Sequence, residues 1–377
     1  MKIAINCAFY QPKGGGIKEY IDNLVNNFAT LPSRYEFVLY VLQDQLDYAR
    51  KNLPSKFKIK TIPFKSSTKI NKIERSLFEG RFWRKEEKEE KFDLFHSPFF
   101  HAPKLKKAKV LLTVHDLRLY RFPDTYEFFR YQFLKRKVRN SINRADHIIS
   151  ISHFTKNEII ELCEVSQDKI TVIHEAINPE RFSAKSLPEP DDIPEILKRK
   201  PFILSVGHME PRKNYDRLIE AFVKIKDNPE LKDLQLVLVG KKDHSYQTTM
   251  KKIEENPDIS YLNFVSGNTL LWLYKNARLF VFPSYYEGFG FPPLEAAALG
   301  TISAVSNVSS IPEVCGNGVL YFNPYNVEDM KCVIEAALTN PTLAKEMEKK
   351  VIQRLNQFSW EQNAKETLNV YSNLTVI

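Results

Sequence analysis

The chain has 377 residues, of which 43% are hydrophobic and 27% charged, an ordinary composition for a folded protein large enough for two domains. No apolar run approaches the roughly 18 residues of a membrane-spanning helix, and the first residues lack the pattern of a secretory signal. The four cysteines lie far apart without a C-x-x-C pair, which argues against a metal site and predicts buried, reduced thiols in a cytoplasmic protein.

The positive charge is concentrated in the first half of the chain. Residues 1–180 hold 32 Lys and Arg against 22 Asp and Glu, whereas the remainder holds 23 against 24, so the net charge of +9 arises in the first half. A basic surface attracts anionic lipids and other anions. Two interpretations stay open: a solvated face that keeps the protein soluble, or a surface for a membrane or an anionic acceptor.

Short apolar segments alternate with helical patterns along the first half. Segments with so little polar alternation are typical of parallel strands that helices cover on both faces. The pattern predicts an α/β, doubly wound domain, in which ligands bind in loops that follow the strands. The predicted strands are Lys2–Phe9, Glu36–Leu42, Phe57–Ile62, Asp93–Phe95, Val110–Val114 and His147–Ile151.

Two loops of this half carry candidate ligand-binding residues. Gly14, Gly15 and Gly16 follow the first strand, where they let a ligand approach the backbone and the next helix offers N–H groups to an anion. A plain tight turn is the alternative. The spacing matches neither G-x-G-x-x-G nor a Walker loop, which disfavours dinucleotide and P-loop sites. His115 and Asp116 end the fifth strand and are predicted to point into the ligand cleft.

A second α/β domain is predicted after the charged, proline-rich stretch 183–201, which is typical of an exposed linker. The same strand–helix alternation resumes there, and Asn214–Lys226 has the apolar face of an amphipathic helix. The predicted strands are Phe202–Val206, Leu234–Val239, Leu262–Val265, Leu279–Phe282 and Thr301–Val305.

The loop Gly207–Asn214 places two cations where a helix begins. A helix N-terminus attracts anions, so Arg212 and Lys213 make sense there if a bound anion pairs with them. Arginine would hold a diphosphate in a fork and lysine would act as a point charge. A basic helix cap is the alternative.

The loop after Leu279–Phe282 has the most specific pattern. Glu287 lies in the loop and Glu295 follows eight residues later, inside a helix that two prolines open. One carboxylate can reach a sugar while the other accepts hydrogen bonds from ribose hydroxyls. Gly288 and Gly290 permit close approach, and the free N–H groups of the helix start can meet phosphate.

Together these loops resemble the retaining glycosyltransferases of family 4, whose GT-B fold has two Rossmann-like domains facing a central cleft. Glu287 and Glu295 match the E-x7-E motif of that family, and Gly207–Asn214 resembles its diphosphate-binding loop. Residues 306–314 resemble the segment that follows E-x7-E, and residues 358–360 with the final helix resemble the segment that crosses back to the first domain.

The resemblance implies an acceptor-side domain over 1–185, completed by about 360–377, and a nucleotide-sugar-binding domain over 200–359. The run from His115 to Leu117, followed by Phe122-Pro123, is similar to bacterial mannosyltransferases that build O-antigen or capsule chains, which suggests GDP-mannose as donor. Where many relatives have Pro-Asn-Gly, this chain has Ile173–Asn178 without a glycine, so the hinge geometry departs from the family pattern.

The same resemblance implies a hexosyl transfer with retention, without a metal cofactor. Arg212 and Lys213 would stabilise the leaving diphosphate, Glu287 would hold the sugar hydroxyls, and His115 with Asp116 would contact the sugar. The other donor contacts are assigned to Gly15, Gly16, Gly207, Glu210, Gly288, Phe289, Gly290, Phe291 and Glu295.

The acceptor, a glycan or a lipid-linked saccharide, is expected on the basic half. Residues 69–91 mix aromatic, aliphatic and basic side chains, which suits an amphipathic helix at the inner face of the cytoplasmic membrane. A helix docked on its own domain is the alternative, which we prefer.

Three further functions stay open from the sequence. They are a transferase that uses a UDP-sugar, a sugar-nucleotide epimerase of similar shape, and a non-enzymatic module that binds polyanions. Nucleic acid is disfavoured as a partner because the sequence has no nucleic-acid-binding motif or stacking platform. An NAD-dependent oxidoreductase is disfavoured because the glycine fingerprint is missing.

Overall fold

The computed structural model describes residues 1–12, 14–66, 68–182, 189–242 and 247–375. The chain divides into two compact units, Met1–Ala176 with Ser359–Ile377, and Ile177–Phe358. The first unit ends before the proline-rich stretch because the turn Pro179–Phe182 packs against a helix of the second unit.

The first unit is a seven-stranded parallel sheet covered by helices. Its strands lie in the order β3-β2-β1-β4-β5-β6-β7. The strands β2 and β3 are added on one side of β1 and β4 to β7 on the other, so the strand order reverses between β1 and β4. The strands are β1 (Lys2–Asn6), β2 (Glu36–Leu42), β3 (Lys58–Ile62), β4 (Leu94–Ser97), β5 (Lys109–Val114), β6 (His147–Ser150) and β7 (Ile170–Val172). The helices are α1 (Gly15–Thr30), α2 (Leu46–Asn52), α3 (Lys69–Glu90), α4 (Arg118–Arg121), α5 (Phe128–Arg144) and α6 (His153–Cys163), with α15 (Trp360–Thr375) at the end of the chain.

The second unit is a six-stranded parallel sheet in the order β10-β9-β8-β11-β12-β13, which reverses between β8 and β11. The strands are β8 (Phe202–Val206), β9 (Gln235–Val239), β10 (Ile259–Leu262), β11 (Leu279–Phe282), β12 (Ser303–Ser306) and β13 (Leu320–Phe322). The helices are α7 (Glu195–Arg199), α8 (Tyr215–Ile225), α9 (Gln247–Glu254), α10 (Gly267–Asn276), α11 (Phe291–Ala298), α12 (Ile311–Cys315), α13 (Val327–Thr339) and α14 (Pro341–Leu355).

The central strands have continuous apolar sequences, which explains why they are buried on both faces. Every residue of β9 and β11 is buried, as expected where helices cover both faces of a sheet. The helix α8 buries Leu218, Ile219 and Phe222 on one face, which is the stripe that its sequence predicts.

The structure corrects two sequence predictions and adds two strands. The strand predicted at Leu262–Val265 is wrong: β10 lies earlier, pairing Ile259 with Leu236, and α10 then begins behind a cap in which Ser266 Oγ accepts from Thr269 N at 3.1 Å. The short strands β7 and β13 were not predicted, because three residues show no periodicity. Cys332 is exposed on α13, unlike the other cysteines.

The helix α3 is docked on its own unit. Trp83 is fully buried, and the Glu87 carboxylate accepts backbone N–H groups of Lys106, Lys107 and Ala108 at 2.6–3.0 Å. Within the described residues, no helix has both the length and the apolar character needed to cross a membrane.

Candidate active site

The loops after β8 and β11 meet at the point where the second sheet reverses its strand order. Ligands of open α/β sheets bind at such points, outside the carboxyl ends of the strands. Gly207–Asn214 follows β8 and the loop with Glu287 follows β11. The backbone N–H of Tyr285 donates to the carbonyl of Arg212 at 2.7 Å, so the two loops are bonded to each other.

Arg212, Lys213 and Glu287, three residues predicted from two separate loops, form one cluster. Arg212 Nη1 donates to Glu287 Oε2 at 2.7 Å and to the carbonyl of Tyr286 at 3.0 Å. Lys213 Nζ donates to the other carboxylate oxygen, Glu287 Oε1, at 2.6 Å. Glu210, also predicted, accepts from Arg212 Nε at 2.8 Å. Both oxygens of Glu287 are thus committed to cations.

The cluster is largely shielded from water, since the side chain of Lys213 is 7% exposed and that of Glu287 11%. Burial lowers the pKa of Lys213 to about 8, with the neighbouring Arg212 adding to the effect and Glu287 opposing it. Burial alone would raise the pKa of Glu287, but the charges of Arg212 and Lys213 bring that pKa down to about 2. For Lys213, the attraction of Glu287 and Glu210 does not offset burial and the charge of Arg212, whereas for Glu287 the two cations outweigh burial.

The backbone around Lys213 is shaped to hold its side chain. A Cβ on Gly207 would lie 2.8 Å from Lys213 Cε, so the glycine leaves the space that the lysine fills. Nζ of Lys213 also lies 4.8 Å from the centre of the Phe282 ring, a cation–π distance. Asn214 adopts the left-handed conformation at φ 57°, and its Nδ2 donates to the carbonyls of Pro283 and Pro324.

Two serines that sequence reasoning did not select position Glu287. Ser309 Oγ accepts from the backbone N–H of Glu287 at 3.2 Å. Ser310 Oγ lies 2.9 Å from the carbonyl of Glu287 and 2.8 Å from that of Phe289. Both serines belong to residues 306–314, whose family resemblance was the available signal.

The rest of the E-x7-E loop leads into α11. Gly288 is buried, and Gly290 precedes the helix at φ 105°, a conformation that favours glycine. The buried Phe289 contacts the partly exposed Phe291, with ring centres 5.2 Å apart. One turn into α11, Glu295 Oε2 accepts from the hydroxyl of the buried Tyr274 at 2.8 Å, so the second glutamate of the motif has a fixed orientation.

The first unit has a glycine loop at its own reversal point, after β1. Gly15 begins α1 at φ 62°, again a conformation that favours glycine, whereas a side chain on Gly16 would meet open space. Gly14 is also required, because a Cβ there would lie 2.5 Å from Lys18 Cβ. The two predicted glycines therefore differ: Gly15 is needed for the turn, and Gly16 leaves the helix start uncovered.

His115, after β5, is held by two acceptors. Its Nδ1 lies 3.1 Å from the carboxylate of the buried Glu175, and its Nε2 lies 2.8 Å from the carbonyl of Pro98. Both nitrogens must carry protons to satisfy both acceptors, so the ring is an imidazolium. Burial works against the charge, but Glu175 and Pro98 together raise the pKa of His115. Asp116, the other predicted residue, accepts the backbone N–H of Arg118 at 3.1 Å.

Sequence reasoning did not select Glu175. It lies in Ile173–Asn178, which was noted only for its missing glycine. The segment that departs from the family pattern therefore supplies the buried carboxylate that contacts His115.

Beneath His115, a chain of polar side chains joins the sheet to α15. The fully buried His96 contacts Tyr371 Oη through Nδ1 at 2.7 Å and Thr113 Oγ1 through Nε2 at 2.9 Å. Burial and the nearby His115 lower the pKa of His96 to about 3, so this second histidine is neutral. The charge of the pair thus resides on His115.

Two family models match the chain, one half each. The model described as Glycosyltransferase Family 4 matches residues 14–181, and that described as Glycosyl transferases group 1 matches residues 189–354. The first range contains β2 to β7, and the second contains β8 to β13.

Relatives and solved structures agree with these matches. The O-antigen chain mannosyltransferase B of Escherichia coli is 30% identical over 74% of either chain. The O-antigen chain mannosyltransferase RfbU of Salmonella typhimurium is 30% identical over 59% of either chain. The sucrose-phosphate synthase of Thermosynechococcus elongatus is 18% identical, with a TM-score of 0.74 over 99% of both chains, which shows a shared fold.

Proposed function

The chain belongs to family 4 of the glycosyltransferases, and we propose that it transfers mannose from GDP-mannose, with retention, to a glycan or lipid-linked saccharide of a surface polysaccharide. The family membership makes it a glycosyltransferase with the GT-B fold, which favours a transferase over the epimerase and the non-enzymatic polyanion module. The mannose assignment is supported by the names of the E. coli and Salmonella relatives.

The largely buried cluster of Arg212, Lys213 and Glu287 is the observation that carries this proposal. Two consecutive cations in one loop at a sheet reversal suit a diphosphate, because the fork of arginine matches phosphate oxygens and lysine adds a point charge. When the bond from the anomeric carbon to the diphosphate breaks, negative charge grows on the departing GDP. Cations that are already in place stabilise this charge without reorganising.

Glu287 holds the two cations in position before the donor arrives. We propose that the diphosphate takes over Arg212 and Lys213, and that the released carboxylate accepts hydrogen bonds from the mannose hydroxyls. The diphosphate also raises the proton affinity of Lys213, whose pKa is about 8 in the structure. The lysine is then fully charged when the leaving group needs it.

We propose further donor contacts in each unit. Glu295, held by Tyr274, accepts hydrogen bonds from the ribose hydroxyls. The backbone N–H groups of Gly15 and Gly16 and of the loop before α11 orient the phosphate and the sugar. His115, in the first unit, donates to a sugar hydroxyl by exchanging the carbonyl of Pro98 for it.

We propose that no metal cofactor is required, because Arg212 and Lys213 supply the positive charge that a metal ion supplies to the diphosphate in other enzymes. We propose that the reaction takes place in the cytoplasm, at the inner face of the membrane, where a lipid-linked acceptor would be present.

A thermal-shift panel of GDP, UDP, ADP, dTDP and CMP, with GDP-mannose and UDP-hexoses, tests the donor. A ligand at 100 times its dissociation constant stabilises the fold by about 2.7 kcal/mol. We expect a selective shift with GDP and GDP-mannose, and an equal shift when EDTA is present. A selective shift with UDP would be compatible with a glycosyltransferase but would reject GDP-mannose as the donor. A shift that EDTA abolishes would reject the metal-independent reaction.

A further inference from the structure

The outer face of α5 combines exposed aromatic rings with an excess of positive charge. Phe128 is 67% exposed, Phe129 85% and Phe133 55%, although phenylalanine is ordinarily a core residue. The same 17-residue helix contains six Lys and Arg and no Asp or Glu. Exposed apolar rings grouped on one face are typical of interaction surfaces, and the surrounding charge suits a partner that accepts apolar and cationic groups together.

The neighbouring helix α3 extends the apolar part of this face. Lys137 Nζ of α5 lies 3.4 Å from Ser76 Oγ of α3, and Leu77 and Phe78, which follow Ser76, are themselves exposed. The net charge of α3 is close to zero, because its seven Lys and Arg are balanced by six Asp and Glu. Its last turns are bound through Glu87 to the backbone of residues 106–108, which lead into β5. Residues 69–91, the segment that the sequence analysis considered for a membrane contact, therefore form the border of the face. The helix α5 forms the centre of the face.

The face lies at the functional edge of the first sheet. The helix α5 begins after β5 and α4 and ends before β6, so its first turns, which carry the three phenylalanines, lie toward the carboxyl ends of the parallel strands. The glycine loop and His115 follow strands at the same edge. A partner bound to α5 therefore lies beside the end of the unit to which the acceptor side is assigned.

We propose that the α5 face, Phe128, Phe129 and Phe133 with the basic residues of α5 and bordering Leu77 and Phe78, docks on an anionic lipid bilayer. Aromatic rings seated among headgroups and a surrounding excess of Lys and Arg are the features that hold a helix in the plane of a membrane interface. A protein partner would need an acidic, apolar groove, whereas an anionic bilayer offers both chemistries over any area. This inference rests on the proposed lipid-linked acceptor, which the docking would bring to the enzyme.

The decisive experiment measures sedimentation of the full chain with phosphatidylcholine vesicles, with and without phosphatidylglycerol. We expect binding only with phosphatidylglycerol, and at least a tenfold loss in the triple variant Phe128→Ser, Phe129→Ser, Phe133→Ser. Replacing the exposed Arg130 and Arg136 by Gln should weaken binding about fivefold for each arginine. The matched control is Phe264→Ser, which removes a ring that is 86% exposed in the second unit and should leave binding unchanged.

A spectroscopic variant locates the contact. The three tryptophans, at positions 83, 272 and 360, are all buried, so Phe129→Trp adds an exposed one. We expect its emission to shift to the blue on addition of phosphatidylglycerol vesicles, and that of the wild type to stay constant. Equal vesicle binding by the triple variant, or no shift in Phe129→Trp, would overturn the assignment of α5.

The outcome is separable from the donor assignment. The triple variant should keep the wild-type thermal shift with GDP, because its substitutions are exposed and lie in the first unit. Wild-type protein that binds GDP but no vesicles would overturn the docking surface and leave the transferase proposal standing. A triple variant that converts a wild-type dimer into a monomer would show that the face binds a second copy, and would equally overturn the lipid assignment.

Discussion

Each unit places a largely buried carboxylate against a cation in loops that follow the strands of its sheet, but the two pairs are built differently. In the second unit Glu287 has two partners, Arg212 and Lys213, which are consecutive in the chain and always charged or nearly so. In the first unit Glu175 contacts a single histidine, which owes its charge to that contact. The pair of cations in the second unit suits a ligand with two negative charges. The single histidine in the first unit suits a neutral, hydroxyl-rich ligand.

The largest effect is expected from Lys213→Ala. If the second unit provides the charge for the leaving group, turnover should fall about 100- to 1,000-fold, the cost of losing one preorganised donor. The fold should survive, because Arg212 still pairs with Glu287. Release of GDP from GDP-mannose reports turnover, and Lys232→Ala, an exposed lysine of the same unit, is the control. Near-wild-type turnover would remove Lys213 from the mechanism.

Glu287→Gln should destabilise the empty enzyme by about 3 kcal/mol, because it leaves two largely buried cations without their counter-charge. Added pyrophosphate should stabilise this variant more than the wild type. The pKa of Glu287 is lowered to about 2, so its contribution is present above the unfolded pKa of about 4.3 and is lost as the pH falls toward 2. Urea unfolding over a pH series measures both effects, and a constant difference between variant and wild type would contradict the pairing.

Glu175→Gln should cost about 2 kcal/mol at mildly acidic pH, where the wild-type pair is charged. The pKa of His115 is raised, so the pair stabilises fully below the unfolded pKa of about 6.5, and its contribution is lost as the pH rises through the folded value. The difference between variant and wild type should therefore shrink toward alkaline pH, opposite in direction to Glu287→Gln. NMR titration of the His115 ring should show a lower pKa in the variant; an unchanged pKa would refute the coupling.

Ser310→Ala should have the smallest effect, about 1 kcal/mol, because one hydroxyl proton serves two carbonyls of the Glu287 loop. We expect KM for the donor to rise more than kcat falls, since the serine positions the loop without touching the diphosphate. Steady-state kinetics separates the two parameters. A fall in kcat with an unchanged KM would mean that Ser310 acts in the transition state instead.

The same contrast explains what could be predicted from the sequence. Arg212, Lys213 and Glu287 each follow a buried strand with a recognisable apolar run, and adjacency of β8 and β11 follows from the doubly wound pattern. Local sequence and sheet topology together were sufficient there. Glu175 and His115 are brought together across the unit, and no periodicity links them. The exposed rings of α5 were missed for a related reason, because apolar residues in a helix ordinarily indicate burial.

The last helix, α15, has a consequence for biosynthesis. It belongs to the first unit, where Tyr371 is fully buried against His96 and Asn363 donates to the carbonyl of His174 at 2.8 Å. The ribosome delivers these residues only after the whole second unit has emerged. Domains usually fold in the order of synthesis, from the N-terminus. In this chain the second unit is completely synthesised before the first unit is. The core of the N-terminal sheet can be completed only when the last turns of α15 have been synthesised.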